Sequence, residues 1–323
     1  MKSISQTGFA SILVIAVIAA LAVSAVFVNI KNNSVSSPVA NLSELETSAS
    51  NTPLASATPA PSPSASPKPT PLPTAKPILT STPIPQNVSN TPPTSGYQRQ
   101  GVRIDSGTYS VDIISASLTS TKVIVDTASE SDCKDNCPVM SLGEYASRSG
   151  AYAGINGSFF CPASYPTCAG NTNSFDTLLM NKNKHYFNSD NNVYSTVPAA
   201  IFSPGSARFV GQSLEWGRDT GVDAVIANYP LYIAGGNVVF GGNGDPKIDG
   251  KGSRTFISSK GGTVYIGVIY GVTGGEAAKV LKELGMDSAL GLDQGGSTAL
   301  WFGGRYIAGP GRGIPNAVLF VNR

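Results

Sequence analysis

Beyond Tyr97 the chain runs in short apolar bursts separated by Gly, Asn and Ser. Residues 102–104 and 109–114 alternate apolar with polar positions, as half-buried strands do, and TKVIVD at 121–126 adds β-branched residues. The same pattern predicts strands at 199–202, 208–210 and 224–227. It then predicts a hairpin in which Gly261 and Gly262 join TFISSK to TVYIGVIYG. Only two segments switch to helical spacing. One is 140–149, where Ser141 and Glu144 stand as a capping pair. The other is GEAAKVLKELGM, with Ala277, Val280, Leu281 and Leu284 on one face and Gly285 at its end. Many strands and few helices predict an α+β domain at 97–323, a single globular unit built on a mixed β-sheet. The order strand, helix, strand predicts that residues 288–292 form a parallel strand and that Asp293 sits at its end.

The first 96 residues follow different rules. Residues 9–30, FASILVIAVIAALAVSAVFVNI, carry no charge, and ~20 apolar residues in a helix span a bilayer. Ser24-Ala25-Val26 is a poor cleavage site, so the reading is an uncleaved anchor over 1–30 with the Lys2 end inside. Residues 31–96 hold most of the chain's 23 prolines, in runs such as TPAPSPSASPKPTPLPTAKP. Such a segment has too little apolar content to fold and reads as an extended, disordered stalk. The domain would then stand off the membrane on its extracytoplasmic, cell-surface side. Charged residues are only 13% and the net charge is +2, which gives no clustered basic surface for nucleic acid. The beginning, KSISQTGF, also resembles a type IV prepilin leader cut after Gly8. Leu13 stands where pilin-like sequences carry Glu, which argues against a filament.

All four cysteines lie beyond the stalk. Their spacings do not match close-paired zinc knuckles, and outside a cell disulfides are expected instead. Of the three connectivities, Cys133–Cys137 and Cys161–Cys168 is the expected one, and no metal or cofactor is expected.

Candidate chemistry concentrates in GLDQGGSTALW. Asp293 ends an apolar run, and Gly295, Gly296, Ser297 and Thr298 follow. A carboxylate, paired glycines and adjacent hydroxyls let backbone N–H groups approach an anionic oxygen. A plain tight turn between buried strands reads equally well from these residues alone. Asn156, Gly157 and Ser158 in INGSFF form a second such stretch, and an Asn-Gly pair is also an ordinary hairpin turn. His185 is the sole histidine, so any Ser-His mechanism depends on it. GDPKIDGKGS lacks the glycine spacing of a phosphate-binding P-loop.

INGSFF, SRTFISSKGGTVYIGVIYG, KELGMDSALGLDQGGSTAL and GRGIPNAVLFV occur in this order. Together they resemble the phosphodiester glycosidase family over about residues 102–321. The resemblance implies hydrolysis of the glycosidic bond of a sugar-1-phosphodiester, on a cell-surface or extracellular phosphoglycan. It implies catalytic roles for Asp293 and Arg254. Asn156, Gly157, Ser158, Gly295, Gly296, Ser297, Thr298, Arg312 and Asn316 would bind substrate. Gln294 stands where the family usually has Gly. Arg254 and Arg312 suit two-pronged phosphate contact, Asp293 suits a base or nucleophile, and Asn156 would help to hold sugar hydroxyls. A second carboxylate would come from Asp176, Glu215, Asp245 or Glu276. The competing readings are a non-catalytic envelope glycan-binding module and a serine hydrolase using Ser297. GGSTA departs from a nucleophile elbow at Ala299.

Overall fold

The computed structural model describes residues 87–192 and 196–323. The anchor expected at 1–30 and most of the stalk lie outside these residues. Among the described residues no helix is long and apolar enough to cross a membrane. The end of the expected stalk is folded, however. Gly101 N donates to Asn87 O at 2.7 Å and Ser89 N to Gly101 O at 2.8 Å, while buried Gln100 donates to Ser89 O. Residues 87–96 therefore belong to the domain, whose start moves upstream of Tyr97. Their backbone groups find partners on a neighbouring strand in spite of the prolines.

Three sheets make up the domain. The first has seven strands in the order β1 (Gly96–Ile104), β2 (Gly107–Ser117), β13 (Thr263–Val272), β12 (Gly252–Lys260), β14 (Ser288–Gly291), β10 (Leu231–Ala234) and β11 (Asn237–Val238). The second runs β16 (Arg305–Ala308), β15 (Leu300–Phe302), β4 (Ala153–Asn156), β17 (Asn316–Asn322) and β3 (Thr121–Thr127). The third runs β6 (Tyr186–Phe187), β5 (Leu179–Met180), β9 (Ala224–Ala227), β7 (Ala199–Ser203) and β8 (Ser206–Val210). Three helices matter for the site: α1 (Leu142–Ser149), the short α2 (Pro246–Asp249) and α3 (Gly274–Glu283).

Strand alternation explains the layering. In β2, Ile114 and Ala116 point into a central core shared by all three sheets, while Val111 and Ile113 meet α3 through Val280 and Leu281. In β17, Val318 and Phe320 enter the same central core, while Ala317 and Leu319 meet Leu142 and Tyr145 of α1. Both faces of these strands are thus buried, which explains their near-continuous apolar runs. Helix ends obey the expected chemistry. Ser141 and Glu144 form the capping box of α1, Thr273 and Glu276 that of α3, and Gly285 follows α3 at φ +72°. Both disulfides form as expected, Cys133–Cys137 and Cys161–Cys168.

The expected direction of β14 is also corrected. β14 is not a parallel strand in a mixed sheet, because it pairs antiparallel with both β12 and β10. The crossover through α3 does connect strands that run the same way, β13 and β14. β12 lies between them and pairs antiparallel with each. The tight turn at Gly261-Gly262 sends β12 and β13 back to back, and the longer α3 connection steps over that hairpin.

Candidate active site

The backbone of Asp293 is held from three sides as β14 ends. Asp293 N donates to Gly157 O at 2.9 Å, while its own carbonyl accepts from Asn156 Nδ2 at 2.6 Å and from the Thr255 hydroxyl. Asn156 is fully buried, and its Oδ1 accepts from Ala299 N at 3.1 Å. Both ends of that amide are committed to protein. Asn156 therefore positions Asp293 rather than holding sugar hydroxyls, as the sequence had suggested. Gly157 is required by close approach, because a Cβ there would lie 1.8 Å from Asn316 Oδ1. Asn316 is itself buried and bonds the Ser158 backbone and hydroxyl, at 2.9 Å and 3.0 Å. Ser158 and Asn316 thus brace the site from within and do not face the cleft. Asn228 belongs to the same framework and escaped the sequence reading. Its amide accepts from Phe159 N and donates to Gly291 O, both at 2.8 Å. An Asn closing a wholly apolar strand, AVIA, was the available signal.

The Asp293 side chain is 9% exposed at the wall of a cleft of about 650 Å³. Desolvation by burial lifts its pKa from the ordinary 3.8 to about 6, against bonds from Ser297 and the Gln294 N–H and the charge of Arg312. The Gln294 N–H reaches Asp293 Oδ1 at 2.8 Å. Gly295 turns the chain at φ +65°, and Gly296 leaves room for Arg312, whose Nη2 would sit 2.1 Å from a Cβ there. Gly295, Ser297 and Arg312 line the cleft with Asp293. Thr298 does not line it, and its hydroxyl is buried without a partner among the described residues.

Arg254 also lines the cleft, at 4% exposure; both its Nη atoms are engaged, while its buried Nε has no partner among the described residues. Nη2 donates to Ile248 O at 2.9 Å and to Gly250 O, and Nη1 donates to Ser253 O at 3.3 Å. Desolvation lowers its pKa, and it has no carboxylate partner in a salt bridge among the described residues. In this arrangement both Nη atoms that would grip a phosphate end-on are engaged by backbone carbonyls, and only Nε stays unpaired. The guanidinium instead holds the loop that carries α2, and the cation acting on Asp293 is Arg312.

Of the four carboxylates considered as a second acid or base, only Asp245 lines the cleft. It also caps α2, accepting from Lys247 N at 2.9 Å. Glu276 pairs with Lys251 at 2.6 Å, and Glu215 accepts from Gln212 N at 2.9 Å. Asp176 borders a separate, smaller concavity beside Cys133. His185 packs edge-on against Phe187 at 4.7 Å, beside the third sheet and away from Ser297. The histidine that a Ser297 hydrolase needs is therefore missing from the cleft. All four cysteines are disulfide-bonded, which leaves no free thiol among the described residues.

A sequence model of the phosphodiester glycosidase family matches residues 149–321. The chain belongs to this family. The match includes every residue of the site just described and leaves out β1 to β3, which the motif resemblance had included in part. A search of curated proteins finds no significant match. Among solved structures, the fold is similar to the zebrafish N-acetylglucosamine-1-phosphodiester alpha-N-acetylglucosaminidase catalytic domain, auto-inhibited by its pro-peptide. That similarity has a TM-score of 0.56 at 17% identity, over 74% of this chain and 87% of the zebrafish one. A hypothetical protein from Synechocystis is similar at TM-score 0.55 and 15% identity, over 70% of this chain. The alignment spans 62% of the Synechocystis protein.

Proposed function

We propose that this protein hydrolyses the bond between an anomeric carbon and the phosphate of a sugar-1-phosphodiester, on a phosphoglycan outside the cell. The observation that carries the reading is Asp293 itself. A family member places one buried carboxylate beside a cation, Arg312, at the wall of a cleft large enough for a sugar and its phosphate. In the proposed reaction the C–O bond breaks and its electron pair leaves with the phosphate oxygen. A water oxygen bonds to the anomeric carbon, and its proton passes to Asp293 and on to solvent. The phosphate monoester departs as a stable anion, so proton donation to it matters little, whereas neutralisation by Arg312 matters much. Gly295, on the same turn, brings a backbone N–H group toward that charge. The apolar run at 9–30, the proline-rich segment and the two disulfides support a tethered, extracytoplasmic setting.

The test is turnover by the full-length chain on a panel of sugar-1-phosphodiesters in heavy-oxygen water. Expected products are a reducing sugar carrying the label and an unlabelled phosphate monoester. Label in the phosphate would mean P–O cleavage and overturn the reading. Binding of the panel without turnover would favour the glycan-binding module instead.

A further inference from the structure

The cleft holds a cation that the sequence did not single out. Lys247 is the second residue of α2, and that helix is fastened along its inner side. Ile248 packs against Gly274 of α3, where an added Cβ would come within 2.7 Å of it, and its carbonyl is held by Arg254. Lys247 remains exposed and lines the cleft. Facing it, the Cys161–Cys168 loop presents Tyr165, and Lys247 Nζ lies 5.6 Å from that ring's centroid. Arg312 lies 5.4 Å from the same centroid, and its Nη1 donates to Ser164 Oγ at 3.2 Å. Neither cation has a salt-bridge partner among the described residues.

Two like charges held on one ring repel each other. The negative ring faces offset part of that repulsion, and an anion in the cleft that both cations line would offset more of it. The turn that carries Asp293 is tied to the same place. Gln294 Nε2 donates to Lys247 O at 3.4 Å. We propose that Lys247 is a phosphate-binding residue of this cleft, acting with Arg312 beside Tyr165 as one anion clasp. The role falls to this pair because both Nη atoms of Arg254 are engaged by backbone carbonyls. No carboxylate has to be displaced from either cation when the anion arrives. The proposal rests on the glycosidase reading only for the nature of the anion, a phosphodiester.

Calorimetric titration of the full-length chain with inorganic phosphate tests it, comparing the parent with Lys247→Gln, Lys247→Arg and Lys279→Gln. Lys279 is exposed on α3 and does not line the cleft. Lys247→Gln is expected to weaken phosphate on the order of tenfold, Lys247→Arg to restore most of it, and Lys279→Gln to leave it unchanged. The gap between parent and Lys247→Gln should shrink as salt rises. Equal affinity in parent and Lys247→Gln, or an equal loss in Lys279→Gln, overturns the clasp. Lys247-dependent phosphate binding without turnover of any sugar-1-phosphodiester keeps the clasp and sinks the glycosidase reading. Turnover with KM unchanged in Lys247→Gln does the reverse.

Discussion

Replacing Asp293 by Asn removes a carboxyl that the fold keeps from ionising at its ordinary pH. Burial raises its pKa from 3.8 to about 6, and 3.8 is the value expected of the unfolded chain. The folded protein therefore holds this proton to higher pH than the unfolded one does. The associated stability is fully present below the unfolded pKa and is lost as pH rises through about 6. Each pKa unit is worth ~1.4 kcal/mol, so the ionised carboxylate costs about 3 kcal/mol once the pH is well above both values. Asn does not titrate, and the remaining titrating groups are common to both proteins and largely cancel in the difference. The unfolding free energy of the parent minus that of Asp293→Asn should fall by about 2–3 kcal/mol between about pH 4 and about pH 7. Urea unfolding of both full-length proteins, followed by circular dichroism at steps across this window, gives the difference directly. A difference that stays constant with pH would refute the burial argument. A difference that rises would mean that Arg312, Ser297 and the Gln294 N–H outweigh burial and hold the carboxylate ionised.

The same titration should appear in catalysis. Turnover of a sugar-1-phosphodiester is expected to rise with pH through about 6 and then level, and Asp293→Asn should abolish it while leaving substrate binding largely intact; a rate independent of pH from 5 to 7 would count against Asp293. Arg254→Lys should lower unfolding free energy by about 1–3 kcal/mol, since the carbonyls of Ile248, Gly250 and Ser253 lose fixed donors; unchanged urea unfolding would return Arg254 to substrate contact. Opening Cys161–Cys168 by a double Ser substitution should cost about 2–3 kcal/mol in the chain-entropy account. It should also raise KM, because that loop carries Tyr165 and Ser164; a lower melting temperature with KM unchanged would separate the loop from the cleft.

What could be read from the sequence was local in origin. The capping box at Ser141 places donor and acceptor within one helical turn, so neighbouring residues suffice to reveal it. The hairpin at Gly261-Gly262 and the two short disulfide loops likewise join residues close in sequence. Asp293 stood out because an apolar run, a carboxylate and two glycines fall within a few residues of one another. The direction of β14 was misread for the opposite reason. Strand, helix, strand describes a crossover equally well whether or not another strand lies between, and only pairing with β12 and β10 decides.

Side-chain roles divide along the same line. The family resemblance, with residue types that suit the chemistry, pointed to Asn156 and Arg254 as ligands, and Arg254 was the stronger candidate of the two arginines. The folded chain assigns their donors to the carbonyl of Asp293 and to those of Ile248, Gly250 and Ser253. The carbonyls of Asp293 and Ile248 are buried by packing and must be paired, so they take up side chains that would otherwise be free for substrate. Arg312 and Lys247 keep their charge available because their neighbours at Tyr165 offer a ring rather than a carboxylate. The sequence by itself determined the strand-rich fold, the helix caps, the disulfides and the carboxylate, each set by contacts within a few residues. Only the tertiary structure decided which cation acts on that carboxylate and which side chains line the cleft with it, because hydrogen bonds between distant segments determine which side chains remain free.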